Sequence, residues 1–308
     1  MSEFVAAEKE IFDELKALLP RSIVTQNEPL ARRTTLRVGG PADVYIEPAS
    51  EADLSSAIAW VHRRCIPWRV IGRGSNLLIR DGGVRGVVFR LSAPAFGAIE
   101  DHGELIRCGA GVKLKAISAR ARERSFAGLE FLEGIPGSVG GALRMNAGAM
   151  GSATFEVITR VRYMDETGQI GEADVAQVPF EYRSSPFFKN HIALAADFRG
   201  RPASRETILQ TTQAYNEKRW SSQPKDPSAG CIFKNPGIPA GRLIEELGLK
   251  GRRIGGAVVS AVHGNFIVNE GGASARDVLE LIAQIKARAK SERGIDLHTE
   301  VEIIGEDH

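Results

Sequence analysis

Glycine in this chain is gathered into a few short stretches, and two of them limit what the rest can fold into. The first is Ile71-Gly72-Arg73-Gly74-Ser75-Asn76-Leu77. The second is Gly134-Ile135-Pro136-Gly137-Ser138-Val139-Gly140-Gly141, continuing to Met145-Asn146-Ala147-Gly148-Ala149. Five glycines within fifteen residues, stiffened by Pro136, make a poor helix or strand. Such a backbone suits close approach to a ligand with several N–H groups offered to it, or a structural knot beneath a packed element. The first stretch follows an expected strand, 68–71, so its N–H groups can line up towards a phosphate; it can equally be a tight turn between strands. It is not the dinucleotide fingerprint, because Leu77 stands at the sixth position and a strand, not a helix, follows.

Composition narrows the classes. The 308 residues give room for two or three domains, and 43% apolar with 25% charged residues is ordinary for a globular chain. A net charge of +2 and 6% aromatics argue against a nucleic-acid groove or a base-stacking platform. The N-terminus reads as an amphipathic helix, with Ile11, Leu15, Leu18 and Leu19 on one face and Pro20 ending it. No apolar run approaches the roughly 18 residues of a spanning helix, so no membrane partner is expected. Cys65, Cys108 and Cys231 form no C-x-x-C pair, which leaves a metal site without support and fits a reducing compartment. A cytoplasmic protein is expected.

Further along, 50–64 reads as a helix capped by Ser50, and 159–173 as a hairpin turning at Glu166-Thr167-Gly168. Long helices are expected over 204–220 and 274–294, a short strand over 231–236, and an alternating strand over 298–306. In that last strand Glu300 and Glu302 share a face, and period two alone does not separate a catalytic from a solvated carboxylate. Helices and strands mix without a steady βαβ alternation, so the fold class is α+β.

The two glycine stretches, taken together, resemble the flavin loops of UDP-N-acetylenolpyruvoylglucosamine reductases. Further matches follow in order: 35–40 (TLRVGG), Tyr182-Arg183-Ser184-Ser185, 230–236 (GCIFKNP) and 300–305 (EVEIIG). The resemblance runs from about 27 to 305. It implies a two-lobed FAD-binding domain of the vanillyl-alcohol oxidase/p-cresol methylhydroxylase type and a C-terminal α/β substrate-binding domain. The expected divisions are 1–83 for the first lobe, joined by the strand 299–308, then 84–201 for the second lobe and 202–298 for the substrate domain.

The resemblance also implies the chemistry. FAD is held noncovalently, NADPH gives hydride to it, and hydride passes to the enolpyruvyl ether of UDP-N-acetylglucosamine, making UDP-N-acetylmuramate for peptidoglycan. By resemblance Ile71, Gly72, Arg73, Gly74, Ser75, Asn76, Leu77, Gly134, Ile135, Gly137, Ser138, Gly141, Asn146, Ala147, Gly148 and Arg219 hold the flavin. Arg183 matches the arginine that stabilises an enolate, and Glu300 a carboxylate that acts with it. Tyr182, Lys234 and Asn235 match substrate contacts. Cys231 stands where many members carry a proton-donating serine; a thiol is the stronger acid, though a cysteine can also be inert. Ser222 stands where some members have a lysine, so Lys218, Lys225 or Lys234 would supply that charge. The short span from Tyr182 to Gly200 lacks the substrate-capping loop of other members. A monomer is expected. The alternatives are another FAD oxidoreductase of the same fold, acting on a sugar or alcohol, and a nucleotide-binding protein that has lost catalysis.

Overall fold

The computed structural model describes residues 2–92 and 94–307, with side chains from residue 9 onwards. The chain gathers into two compact units: Met1–Gln26, Val44–Arg73 and Gly86–Arg219 form one, and Asn27–Asp43, Gly74–Arg85 and Trp220–His308 the other.

The first unit holds two cores. One closes around Leu15, Leu19, Val44, Ile46, Leu54, Ile58, Val61, Val87 and Phe89. Its helix Glu51–Arg63 starts where the sequence places it, because the Ser50 hydroxyl accepts the Asp53 N–H at 3.0 Å. Strand Trp68–Ile71 lies parallel to Val84–Arg90, with Trp68 opposite Val87 and Ile71 opposite Arg90. The other core lies under a five-stranded antiparallel sheet in the order Ile170–Asp174, Ile158–Met164, Ile192–Arg199, Leu105–Gly109, Ile99–His102. The expected hairpin is its first pair, and Asp165 sets the turn by accepting the Thr167 and Gln169 N–H groups at 2.8 and 2.9 Å. Helices Leu114–Glu123 and Val139–Met145 supply Leu114, Ile117, Val139 and Leu143 to this core. Cys108 lies within it, and burial pushes its thiol far above the ordinary range, which makes it inert.

The second unit is an antiparallel sheet in the order Ser228–Cys231, Phe266–Asn269, Ala257–Val259, Arg253–Ile254, covered by helices Ala240–Glu246 and Ala275–Arg293. Leu243, Ile244, Val259, Ile267, Val278 and Leu281 fill its core, and Leu36, Val38 and Leu78 enter the same core from far upstream. That insertion is why 27–43 and 74–85 group with the C-terminal residues, a division different from the one expected at 83/84. The helix Arg205–Ser222 differs the other way: most of it groups with the first unit, where Tyr215 packs against the core under the five-stranded sheet.

Two further ties hold 74–85 in the second unit. Strand Leu77–Ile79 pairs in parallel with Glu302–Ile304, so the last strand does return to the early part of the chain. The Asp81 carboxylate accepts the Ala275 and Arg276 N–H groups at 2.8 and 2.9 Å, while Ser274 and Asp277 cap each other reciprocally. An anion on the first N–H groups of a 19-residue helix is favoured by both hydrogen bonding and the helix dipole. Asp81→Ala is expected to lower stability by about 1–2 kcal/mol. Asp81→Asn, which keeps an acceptor but loses the charge, should cost less. Urea denaturation of the two variants measures this, and an unchanged midpoint in Asp81→Ala would mean that the tie is redundant.

Candidate functional site

In the first unit the second glycine stretch is only partly the loop expected of it. A 3-10 turn, Glu130–Gly134, leads to residues 135–138 and then to the helix Val139–Met145, whose first turn contains Gly140 and Gly141. Several N–H groups expected to face a ligand are engaged internally. Ile135 donates to Leu132 O, Val139 to Val112 O, Gly140 to Ala110 O, Asn146 to Leu143 O and Ala147 to Ala142 O.

The glycine surfaces tell a different story. A Cβ on Gly134 would meet nothing nearer than Arg219 Cδ at 3.7 Å, and one on Gly141 nothing nearer than Ser138 Oγ at 3.9 Å. Neither has a positive φ. Nothing inside the unit requires glycine there, so the requirement points outward, to something that approaches the backbone. Gly72 belongs to the same patch, since a Cβ on it would come within 2.9 Å of Ser138 Oγ. Arg219, half-buried beside Gly134, has its pKa lowered by burial, an effect partly offset by Glu133. A guanidinium stays charged through such a shift, so this patch carries a cation.

Residues 74–77 of the first stretch lie in the second unit, where they make internal contacts. A Cβ on Gly74 would strike Arg33 O at 2.4 Å and Thr34 Cα at 2.7 Å. The Asn76 side chain donates to Glu300 O at 3.0 Å, its carbonyl accepts the Glu302 N–H at 3.0 Å, and Leu77 opens the strand that pairs with Glu302. Asn76 therefore tethers Glu300. Ser75 O lies 3.9 Å from where a Gly230 Cβ would be.

Arg183 sits in the first unit at the tip of a two-residue turn, with Glu181 and Ser184 exchanging backbone hydrogen bonds at 2.8 and 3.3 Å. Its φ of +56° is in the left-handed region that residues other than glycine seldom adopt, a mild strain held by its surroundings. The guanidinium lies over the exposed Tyr182 ring, 5.0 Å from its centroid. A Cβ on Gly148 would strike Ser152 O at 2.5 Å and come within 2.9 Å of Arg183 Nη1, so the bare backbone there is needed by its neighbouring strand and lies against this side chain. The Asn146 amide donates to Glu181 O at 3.0 Å and accepts the Phe155 N–H at 3.2 Å. The stretch read as a flavin loop thus also anchors the turn that carries Arg183.

In the second unit the strand bearing Cys231 ends there rather than beginning there, as the sequence had suggested. Gly230, at φ +76°, makes the bend before it, and the register against Phe266–Asn269 shifts between Ser228 and Cys231. Glu300 also differs from expectation: it lies in a bend before the strand Glu302–Ile304, so it has no strand face to share with Glu302. Its N–H donates to Ile232 O at 2.8 Å, which ties the half-buried Glu300 to the residue next to the half-buried Cys231. The Lys234 N–H bonds His298 O at 2.9 Å, and Asn235 Oδ1 accepts the Ala240 N–H at 3.0 Å, opening the helix Ala240–Glu246. Asn265 escaped the sequence reading; its one signal is an amide just before the apolar residues 266–268. Among the described residues no cluster of His, Cys, Asp and Glu could hold a metal ion, and no helix is long and apolar enough to cross a membrane.

Known proteins resemble this chain along most of its length. Residues 42–174 match the FAD binding domain family, and residues 223–304 match the C-terminal domain of UDP-N-acetylenolpyruvoylglucosamine reductase. The reductase of that name from Bacillus subtilis is 44% identical over 92% of this chain and 94% of its own length. The one from Methylorubrum extorquens strain PA1 is 43% identical over 96% of each chain. The crystal structure of the reductase from Thermus caldophilus covers 92% of this chain and 99% of its own, with a TM-score of 0.80 and 36% identity. The α+β class, with a flavin-binding domain followed by a substrate domain, stands as read from the sequence. At 43–44% identity to reductases matched over more than nine-tenths of its length, this chain belongs to the UDP-N-acetylenolpyruvoylglucosamine reductase family.

Proposed function

We propose that this chain is an NADPH-dependent flavoenzyme that reduces the enolpyruvyl ether of UDP-N-acetylglucosamine to UDP-N-acetylmuramate. The observation that carries the reading is the Ile232 carbonyl, whose bond to the Glu300 N–H ties the backbone of Glu300 to the residue that follows Cys231. Noncovalently bound FAD supplies a carrier that takes hydride from NADPH and passes it to the terminal methylene of the substrate. The residues that fit it are Gly134 and Gly141, where the backbone is open to close approach, and the adjoining Gly72 and Ser138, with Arg219 beside Gly134 as a cation for a dinucleotide. Gly137 completes this set on the strength of the resemblance. Arg73, Ser75, Asn76 and Leu77 are read as shaping the loop.

The remaining chemistry falls to the chain's own groups. Hydride arrival at the methylene leaves negative charge on the neighbouring carbon and its carboxylate. Arg183 stabilises that charge with paired N–H donors, and its strained backbone pre-sets their direction, so little reorganisation accompanies the reaction. Cys231 gives its proton to the neighbouring carbon, and the resulting thiolate is reprotonated from solvent before the next turnover. Glu300 orients the intermediate beside Cys231. Tyr182, Lys234 and Asn235 contact the nucleotide-sugar, with Lys234 a match for diphosphate charge. Ser222 leaves one family cation to be supplied by Lys218, Lys225 or Lys234. On this reading the enzyme works in the cytoplasm as a monomer.

Two outcomes are expected. Cys231→Ser keeps turnover within about tenfold, because a hydroxyl is the weaker acid but reaches the same carbon, whereas Cys231→Ala lowers product formation by about 10²–10⁴-fold. Flavin reduction by NADPH should be untouched in both, and normal steady-state turnover in the alanine variant would remove Cys231 from the mechanism. Gly134→Val should give a folded protein that purifies without flavin, since the side chain fills the approach and meets only the flexible Arg219 inside the unit. Absorbance spectra with circular dichroism check this; full flavin content in the variant would show that the patch is not the cofactor cradle.

A further inference from the structure

Asn265 is 3% exposed and lies between Gly264 and the apolar strand Phe266–Asn269. A buried carboxamide costs several kcal/mol unless all its hydrogen-bonding groups find partners, so its bonds indicate what it is for. Oδ1 accepts the Phe233 N–H at 2.9 Å and Nδ2 donates to Phe233 O at 2.8 Å. The backbone carbonyl of Asn265 accepts the Ile232 N–H at 2.8 Å. One residue thus makes three bonds to the two residues that follow Cys231. Its own N–H donates to His263 Nδ1 at 3.1 Å, which fixes the turn before it and leaves the imidazole proton on Nε2.

The position of these bonds is informative. Regular pairing of the Cys231 strand stops at Cys231 opposite Phe266. Beyond that point the Asn265 carboxamide does what a neighbouring strand would do, one side chain presenting a donor and an acceptor to a single residue's backbone. The far edge of the same segment carries the other ties. Ile232 O accepts from Glu300 and Val301, Phe233 bridges Thr299, and the Lys234 N–H bonds His298 O. Residues 232–234 are therefore a shared rail, with Asn265 fixing it on one side and Glu300 hanging from it on the other.

We propose that Asn265 is the positioning residue of the Cys231 and Glu300 pair, setting the direction of the thiol and the carboxylate through the Ile232–Phe233 backbone. It acts through Cys231 and touches neither substrate nor cofactor. The proposal rests on Cys231 being the proton donor.

The test compares Asn265→Ala, Cys231→Ala and the double variant as FAD-loaded full-length protein. Flavin reduction by NADPH, flavin reoxidation by the enolpyruvyl substrate and the KM for that substrate are followed in each. Asn265→Ala is expected to slow reoxidation by about 100-fold, the usual consequence of a displacement of about 1 Å at a reacting group. Reduction by NADPH should stay within about twofold and KM within about threefold. Because Asn265 acts through Cys231, the double variant should be no slower than Cys231→Ala alone, the signature of two residues in one unit. Losses that multiply in the double variant, or equal losses in both half-reactions of Asn265→Ala, overturn the proposal. Should Asn265→Ala fail to fold, Asn265→Ser takes its place, with an intermediate loss expected and the same comparison made. Normal turnover in Cys231→Ala overturns the proton-donor reading and this proposal with it. A slow Cys231→Ala beside a normal Asn265→Ala overturns the positioning role alone.

Discussion

The hydrogen bond from the Glu300 N–H to the Ile232 carbonyl joins two segments almost seventy residues apart, and the second unit is arranged around it. Glu300 precedes a strand of only three residues, too short to hold its own register. Its place is fixed instead from both ends. Asn76 grips its carbonyl, and Glu302 continues into the parallel pair with Leu77–Ile79. Those early residues are in turn fixed by Leu78 in the core and by Asp81 on the N-terminus of Ala275–Arg293. The backbone of Glu300 is therefore linked to the long helix through Asn76, which holds its carbonyl, and Asp81, which accepts the Ala275 and Arg276 N–H groups.

The first unit answers a different requirement. It carries two glycines, Gly134 and Gly141, with open space where a Cβ would be, and Arg219 lies beside Gly134. Here the two uses of glycine separate cleanly. Gly74 and Gly148 are glycine because other atoms of the protein occupy the space of a Cβ, while Gly134 and Gly141 have that space open. A glycine with an internal reason says nothing about a ligand, and one without such a reason does. Asn146 links the two tasks, because the segment that carries Gly141 also holds the turn of Arg183. A change made for the flavin is therefore felt at the arginine.

Much of this was legible in the sequence, and what was not has a common cause. The Ser50 cap, the hairpin turned by Asp165 and the helix opened by Ser274 follow from residues three or four positions apart, where local chemistry decides. The glycine stretches stand out in the sequence, but which of their members have an internal reason to be glycine does not, because that depends on residues such as Arg33 and Thr34 folding against Gly74. Glu300 was read as a strand residue since alternation is all that a short segment offers; its bend is imposed by Ile232 and Asn76. Asn265 left only the faint trace of one amide just before apolar residues. Its partners at 232 and 233 are distant in sequence, and no periodicity reports a side chain that stands in for a strand.

The central claim is that this chain runs a two-step reduction from NADPH to an enolpyruvyl nucleotide-sugar through one bound flavin. Anaerobic absorbance spectroscopy of the purified holoprotein tests it most directly. Adding one equivalent of NADPH should bleach the flavin band, and adding the enolpyruvyl ether of UDP-N-acetylglucosamine should restore it, with one equivalent of UDP-N-acetylmuramate formed. A band that NADPH leaves unchanged, or a bleached band that the enolpyruvyl substrate fails to restore while oxygen restores it, would contradict the account.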